Sequence, residues 1–401
     1  MTKTLDATFR SASARIVGAL AARYRDLDLA EEAFAEACAR AAEGWKSAPP
    51  ERPDGWPYAV AQHCALDLIR KRSVRERHDA EMEAECPMDE DPTFIPDERL
   101  RLIFVCCHPA IAPDARAALT LRTVCGLSTG EIAHAFLTSE ATLAQRLVRA
   151  KRKIAEAGVP FEIPGPNLWA ERLDAVLSTL EIAYSKAHED AAGAGPHASY
   201  AAEMLSLSQM LAELLPDEAD VLAFAALVRF CEARRPARTD SGGCMIPLAE
   251  QDPAQWDRAM IREGDALLKR GFALQPSSAR LLQAGIHAAW CRRRSLDEPP
   301  PWPKVLALYD SLVAISDNPI TRLNRIVPLA EVRGYDRALE ELENLRAASL
   351  EDFLPFHAVR ADLLRRAGRA AEAQIEYDAA LALRPAPAER AWLARRRSQM
   401  Q

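Results

Sequence analysis

Between residues 145 and 153 the chain carries a run of amide and cationic side chains suited to chemistry with nucleic acid. Gln145, Arg149 and Arg152 recur at intervals of four and three residues, which places them on one face of a helix. Three more cations flank this row: Arg146, Lys151 and Lys153. An arginine can pair with guanine O6 and N7 through two hydrogen bonds, and either type of cation can hold a phosphate. The pattern predicts a DNA-binding helix, with a solvated basic face as the alternative.

The residues between these cations indicate how such a helix is held in place. An apolar face with helical spacing runs along the same segment, formed by Leu143, Leu147, Ala150 and Ile154. Ser139 or Thr138 is placed to cap the helix, and Glu140 suits its positive N-terminus. The sequence thus predicts a helix over Ser139–Ile154 that is apolar on one face and basic on another.

A shorter helix is predicted just before it, over Thr129–Phe136. Ser128 is a good N-cap and Glu131 follows three residues later, so STGE has the form of a capping box. A short helix, a tight turn and a longer basic helix together predict a helix-turn-helix, in which the second helix enters the major groove of DNA.

The composition of the whole chain favours an all-α protein of two or three domains. The 401 residues are 49% apolar, 27% charged and only 6% aromatic, and alternating runs of β-branched residues are missing. The net charge of −7 argues against a general nucleic-acid binder. The case for DNA therefore depends on two basic clusters, Arg70–Arg77 and Arg146–Lys153.

Targeting segments and metal-binding motifs are not evident in the sequence. The first residues lack an apolar core of signal-peptide length, and no apolar run is long enough for a membrane span. The nine cysteines form no CxxC pair, and Cys106, Cys107 and His108 are too close together for a usual structural zinc site. We expect buried thiols, a cytoplasmic location, and neither metal nor cofactor.

An acidic helix is predicted over Asp28–Glu43, with Asp28 as its N-cap. Its apolar stripe would face inward, while Glu31, Glu32 and Glu36 would stay outside. Such a face is usually only solvated, and a binding surface is the alternative.

A second helix, Tyr58–Arg77, ends in the first basic cluster. Trp56 and Tyr58 stand at its start, and His63 follows one turn later. Aromatic rings beside a basic helix suit unstacked single-stranded bases, and packing of the two rings onto neighbouring helices is the alternative.

Two linkers divide the chain. Residues 79–98 hold nine acidic residues and three prolines without Lys or Arg, which predicts an extended segment. The sequence GVPFEIPGP predicts a second linker. The predicted division is 1–78, 79–98, 99–157, 158–166 and 167–401.

Paired helices are predicted throughout the last part, 167–401. The segment ADLLRRAGRAAEAQIEYDAALALRP has the form of a tetratricopeptide unit, and its Gly368 lies 34 residues after Gly334, the repeat length of that motif. Stacked helix pairs bury a continuous core and leave a concave surface. The helices predicted upstream cover 167–190, 198–215, 217–233, 254–273 and 277–292.

The segment 234–257 does not follow this pattern. Long polar loops in compact domains are often functional, and a solvated insertion is the alternative. The candidate residues in this loop are Arg234, Arg235, Arg238, Asp240, Gln251, Asp252, Trp256 and Asp257.

Three stretches, in their order and separation, carry a family resemblance. DLAEEAFAEACARA, WPYAVAQHCALDLIRKR and the helix-turn-helix together resemble bacterial sigma factors of the extracytoplasmic-function group over about residues 10–157. That group has two helical domains, regions 2 and 4, joined by a linker. The C-terminal repeats resemble those of a subgroup with a fused helical domain. Where the family often has asparagine, this chain has His63, so a preference at the −10 element does not follow.

The resemblance implies three sets of site residues. The residues that would bind the polymerase core are Asp28, Glu31, Glu32, Phe34 and Glu36. The residues that would contact the −10 element are Trp56, Tyr58, His63, Arg70, Lys71 and Arg72. The residues that would contact the −35 element are Gln145, Arg146, Arg149, Lys151, Arg152 and Lys153.

The function expected from this resemblance is promoter-directed initiation by core RNA polymerase, with no catalysis by the chain itself. No P-loop, HExxH or GxSxG motif is present. The expected partners are core RNA polymerase, promoter DNA and, through the C-terminal domain, a regulatory protein or an intramolecular contact; no membrane is expected. The alternatives are a helix-turn-helix regulator whose repeats sense a ligand or peptide, and a repeat scaffold.

Overall fold

In the part of the chain that the computed structural model describes, the regular secondary structure is helical, apart from an isolated antiparallel bridge between Thr239 and Met245. This confirms the all-α prediction. The chain divides into two compact units, Met1–Lys186 and Ala187–Gln401. The described residues are 13, 15–44, 56–76, 98–125, 127–136, 138–189, 197–346, 350 and 353–400.

The N-terminal unit contains the predicted helices with shifts of one or two residues at their ends. Its described helices are α1 (15–24), α2 (Leu27–Gly44), α3 (Trp56–Glu76), α4 (Arg99–Cys106), α5 (Pro113–Thr123), α6 (Thr129–Ala135), α7 (Glu140–Glu156) and α8 (Pro166–Glu189), the last of which continues into the second unit.

The cap of α2 differs from the prediction. Asp26, rather than Asp28, caps the helix, because its Oδ1 accepts a hydrogen bond from the N–H of Leu29 at 2.9 Å. Asp28 lies in the first turn, where a carboxylate still suits the positive end of the helix dipole. Its side chain is therefore left available for contacts with other parts of the unit.

Helix α8 packs onto α4. The rings of Trp169 and Phe104 lie 5.4 Å apart, and Arg172 Nη2 donates to the carbonyl oxygen of Phe104 at 2.6 Å. The predicted linker 158–166 thus joins two helices of the same compact unit, α7 and α8.

The thiols of the described part of the chain lie mostly in the interior, as predicted. All of the described cysteines except the half-buried Cys38 are buried. Burial raises the pKa of the Cys107 thiol to about 11 and that of Cys291 to about 12. These thiols are protonated at neutral pH and pack as small apolar groups.

The C-terminal unit is a succession of helices in which most elements pack on their sequence neighbours. Its helices are α9 (His197–Leu214), α10 (Ala219–Ala233), α11 (Arg258–Leu274), α12 (Ala279–Cys291), α13 (Trp302–Ile315), α14 (Pro319–Arg333), α15 (Tyr335–Arg346), α16 (Leu354–Arg366), α17 (Ala370–Ala382) and α18 (Pro387–Ser398).

Both glycines of the 34-residue spacing lie in turns between paired helices. Gly334 lies between α14 and α15 with a φ of 94°, and Gly368 lies between α16 and α17 with a φ of 77°. Residues other than glycine rarely adopt this left-handed backbone conformation. Each glycine therefore marks the turn of a helical hairpin, although the two turns differ, because Gly334 is the C-cap of α14 whereas Ala367 is the C-cap of α16.

Part of the loop 234–257 is packed, while residues 241–243, 254 and 255 are exposed as in a solvated insertion. Cys244, Gln251 and Trp256 are only 8%, 6% and 4% exposed. Asp240 Oδ1 accepts hydrogen bonds from the backbone N–H groups of Gly242 and Cys244, at 3.0 and 2.9 Å.

Other polar residues of this loop serve local structure. Asp257 caps α11 by accepting from the N–H of Ala259 and Met260 at 2.8 and 3.0 Å. Arg234 is buried and donates to Nδ1 of His287 at 2.7 Å. Burial, together with this cation, lowers the pKa of His287 to about 3, so His287 is neutral at physiological pH.

The loop also ties the last helix to the rest of the unit. The N–H of Met245 donates to the carbonyl oxygen of Ala388 at 3.0 Å. Arg396 forms an ion pair with Glu250 at 2.6 Å. A segment that follows α10 therefore holds α18, about 140 residues further along the chain.

The tight contact between α10 and α11 gives a first prediction. A Cβ built on Gly264 would lie 2.8 Å from Cε1 of Phe230, whose buried ring has little room to move. We expect Gly264→Ala to lower the free energy of unfolding of the C-terminal unit by about 1–3 kcal/mol through overpacking. Chemical denaturation of the full chain measures this change.

The matched control is Gly285→Ala on α12. A Cβ at Gly285 would have its nearest neighbours at 3.8 Å or beyond, which is ordinary contact. This variant should be neutral or more stable, because alanine favours a helix over glycine by up to about 1 kcal/mol. Equal destabilisation of the two variants would contradict the packing argument.

Candidate nucleic-acid interface

Helix α7 is positioned at its start by a side-chain cap. Ser139 Oγ accepts from the N–H of Thr142 at 3.1 Å, so Ser139 is the N-cap and the alternative cap Thr138 is not used. The capping box of the preceding helix stays a prediction, since the side chain of Glu131 lies outside the described residues.

The apolar face of α7 is buried as predicted, and this fixes the direction of the other faces. Helix α7 packs on α5 and α6. On the opposite side Val148 is 65% exposed and the Arg152 side chain 72% exposed, with Gln145 and Arg149 also exposed. The buried residues of α7 are Leu143, Leu147, Ala150 and Ile154.

A groove runs along one flank of α7 and has a volume of about 550 Å³. The first residues of α5 and the turn before it form its other wall, where Arg116 Nε donates to the carbonyl oxygen of Ile111 at 2.6 Å. The cationic or amide residues of α7 that line the groove are Gln145, Arg146, Arg149, Arg152 and Lys153. Five of the six predicted −35 residues therefore share one groove, and a concentration of donors of this kind suits phosphates and base edges.

Val148 adds an apolar contact to the exposed face of α7. A large apolar side chain that is 65% exposed costs free energy in water unless a partner covers it. In the major groove, the methyl group of thymine is such a partner.

Lys151 is the exception among the predicted −35 residues. With about 100° of rotation per residue, it projects from the opposite flank of the apolar stripe to Arg146 and Lys153. Its Nζ lies 2.9 Å from Oδ1 of Asp28 and 2.6 Å from Oε2 of Glu31. In this structure it contacts α2 instead of the groove.

The acidic residues of α2 are spread over surfaces of different exposure. Glu32 and Glu36 are exposed, Phe34 is half-buried, and Glu36 pairs with Arg40 at 3.1 Å. Asp28 and Glu31 share Lys151. The helix thus combines an open acidic surface with a part that contacts α7.

The predicted −10 residues on α3 are placed in two ways. Tyr58 is only 3% exposed, so in this conformation its ring packs in the interior and is not available to stack on a base. His63, Arg70 and Lys71 are exposed. The side chains of Trp56 and Arg72 lie outside the described residues.

The described part of the chain shows neither a metal cluster nor a membrane helix. No group of three or more His, Cys, Asp or Glu residues in it is arranged to hold a metal ion. None of its helices is long and apolar enough to cross a bilayer.

Two segments of the chain are similar to known families. Residues 101–154, which include α5, α6 and most of α7, match the family model for sigma-70, region 4. Residues 172–272 match a family of unknown function.

A relative covers the chain almost from end to end. An uncharacterized protein of Rhizobium meliloti (strain 1021) is 35% identical over 399 residues, which are 97% of this chain and 94% of the relative. The chain belongs to the same family as the Rhizobium protein, and its residues 101–154 are similar to sigma-70, region 4.

The cap of α7 gives a second prediction. Ser139→Ala removes the acceptor for the N–H of Thr142, and we expect the free energy of unfolding of the N-terminal unit to fall by about 1 kcal/mol. Urea denaturation of the full chain measures this value. Ser139→Asp retains an acceptor and should lose far less, whereas an equal loss in both variants would show that the missing acceptor is not the cause of the loss.

Proposed function

We propose that this protein is an extracytoplasmic-function sigma factor, which binds core RNA polymerase, directs promoter-specific initiation and acts in the cytoplasm. The observation that carries the proposal is the groove on α7, where a region 4 domain presents three arginines, a lysine and a glutamine beside a buried apolar stripe. The chain itself catalyses no reaction.

The proposed roles follow the three sets of residues. The groove residues and Lys151 contact the −35 element. The −10 element is contacted by Trp56, Tyr58, His63, Arg70, Lys71 and Arg72, of which Tyr58 needs a rearrangement to reach DNA because it is buried. Residues Asp28 to Glu36 on α2 bind the polymerase core. The exposed acidic side chains of α2 support this role, because they suit a cationic docking surface.

The C-terminal helical unit would modulate this activity as a tetratricopeptide-like domain. The repeated glycine turns of α14–α15 and α16–α17 support the repeat assignment. A regulatory protein or an intramolecular contact is the proposed partner.

A helix-turn-helix regulator with a ligand-sensing domain is the second candidate. A cavity of about 850 Å³ in the C-terminal unit favours it, since Trp290, Trp302, Tyr309 and Trp392 are among the lining residues. Transcription with core polymerase lacking any other sigma factor separates the two candidates. A sigma factor yields promoter-specific transcripts under these conditions, and a regulator yields none.

Arg149 tests the proposed −35 contact. Arg149→Ala should weaken promoter binding by the complex with core polymerase by about 1–3 kcal/mol if the guanidinium contacts a base pair. Competition between promoter sequences that differ only at the −35 element measures the loss. Equal losses on all sequences would instead identify a phosphate contact.

The matched control for this test is Arg337→Ala on α15. Its side chain is 60% exposed and pairs with Glu340 at 3.1 Å in the other unit. The variant also removes one guanidinium group but leaves α7 unchanged, so its promoter binding should equal that of the unaltered chain.

The contacts of α8 decide where a truncation should be made. A chain ending at residue 166 loses the contacts that Trp169 and Arg172 make with α4. It also loses the buried residues Leu173 and Leu177, and burial of each leucine contributes about 1.5–3 kcal/mol. We expect thermal unfolding to show that this chain is much less stable than one ending at residue 189.

The longer truncation then reports on the C-terminal unit alone. Run-off transcription by residues 1–189 should differ from that of the full chain if the C-terminal helices modulate activity. Identical transcription by the two stable proteins would remove the modulating role.

A further inference from the structure

The cavity of the C-terminal unit has one wall made largely of aromatic rings. Trp302, Val305 and Tyr309 of α13 line it at intervals of three and four residues, so they project from one face of that helix. Trp290 of α12 lines it as well, and its ring meets that of Trp302 edge-to-face, with 4.8 Å between the centroids. At about 850 Å³, the cavity has the size of a site for a small organic molecule.

A second wall comes from α14. Asn324, Pro328 and Glu331 line the cavity at intervals of four and three residues. Asn324 is exposed, and its side-chain amide makes no hydrogen bond within the described part of the chain. Pro328 has no N–H, so the backbone carbonyl oxygen of Asn324 also lacks its usual helical donor. This lining residue therefore keeps polar groups that a ligand can use.

Tyr309 adds a hydroxyl group to the aromatic wall. Burial raises the pKa of Tyr309 to about 12, so the hydroxyl group is protonated and neutral at physiological pH. Among the described residues it has no hydrogen-bond partner, and it does not belong to the polar atoms that are sealed from solvent. A polar group beside a buried apolar surface is normally paired, and here the open cavity is where a partner fits.

The arginines of the cavity are already paired with carboxylates of the cavity. Each of the three arginines that line it forms an ion pair with a carboxylate that lines it too. A phosphate or carboxylate ligand has to displace one of these carboxylates, and an ammonium ligand has to displace an arginine. The lining therefore favours an uncharged ligand. The three pairs are Arg365–Asp362 at 2.7 Å, Arg396–Glu250 at 2.6 Å and Arg366–Glu331.

We propose that this cavity is a binding site for an uncharged aromatic molecule that carries a carbonyl or amide group. The ring of the ligand packs against Trp290 and Trp302, and its polar group exchanges hydrogen bonds with Asn324 and the Tyr309 hydroxyl group. The inference rests on the ligand-sensing role of the second candidate function for its biological use. It is compatible with a sigma factor as well, because all of the lining residues belong to the C-terminal unit.

Three probes with one ring system and different head groups test the charge of the site. They are 2-naphthamide, 2-naphthoate and 2-naphthylmethylammonium, each titrated with the full chain and followed by ligand-observed NMR. We expect the uncharged amide to bind more tightly than either ion, by about tenfold or more, since burying a charge without a partner is costly. An ion that binds as tightly as the amide, or no saturable binding of any probe, would overturn the proposal.

Two substitutions that each remove one polar group test the hydrogen bonds. Tyr309→Phe and Asn324→Ala should each weaken binding of 2-naphthamide by about three- to tenfold. The matched control is Tyr335→Phe, which removes a hydroxyl group from α15, outside the lining of the cavity, and should leave the affinity unchanged. Full affinity in both test variants, or an equal loss in the control, would show that these groups do not hold the probe.

A larger side chain tests the location by exclusion. Val327 of α14 is half-buried and lines the cavity, so Val327→Trp should reduce binding of 2-naphthamide by about tenfold or more through steric overlap. Val332→Trp places the same ring on an exposed position of the same helix, outside the lining, and should bind normally. Thermal unfolding shows whether both variants are folded. If Val327→Trp does not fold, the hydroxyl and amide variants decide.

Binding and transcription fail independently of each other. The titrations contain no polymerase, so a chain that binds no probe contradicts the cavity site and leaves the sigma-factor proposal intact. A chain that binds 2-naphthamide as expected but gives no promoter-specific transcripts with core polymerase contradicts the sigma-factor proposal and leaves the cavity site intact.

Discussion

Burial of one narrow apolar stripe on α7 sets the direction of every polar side chain on that helix. Leu143, Leu147, Ala150 and Ile154 are each at most 6% exposed. A helix turns by about 100° per residue, so this single constraint sends Arg149 and Arg152 outward and Lys151 to one flank. The groove residues and the contact with α2 are two consequences of the same packing.

Apolar stripes of this kind are also why many helices of the N-terminal unit could be predicted from the sequence. Helical periodicity and caps are local, and they gave α7, Ser139 as one of two candidate caps, and the exposed Arg149. The cap of α2 was misassigned because Asp26 and Asp28 are two carboxylates in one short stretch, and only the backbone geometry selects between them.

Contacts between distant segments could not be predicted in this way. Periodicity shows which face of a helix is apolar, but it does not show which helix covers that face. The pairing of Lys151 with Glu31 spans 120 residues, and Trp169 reaches back to Phe104 across a proline-rich segment that resembles a linker. The aromatic ring of Tyr58 is of the kind that stacks on bases. Its burial, however, depends on neighbouring helices that no local sequence pattern identifies.

The packed loop 234–257 changes how the C-terminal unit is expected to unfold. In an open array of helical hairpins the last helix frays first, since each repeat contacts only its neighbours. Here α18 is held by Met245 and Glu250, which precede α11 in the chain. We expect these contacts to couple the unfolding of the C-terminal end to that of the α10–α11 core. Amide protons in α18 should exchange with solvent together with those of α11, and α18 should resist proteolysis as long as the unit is folded.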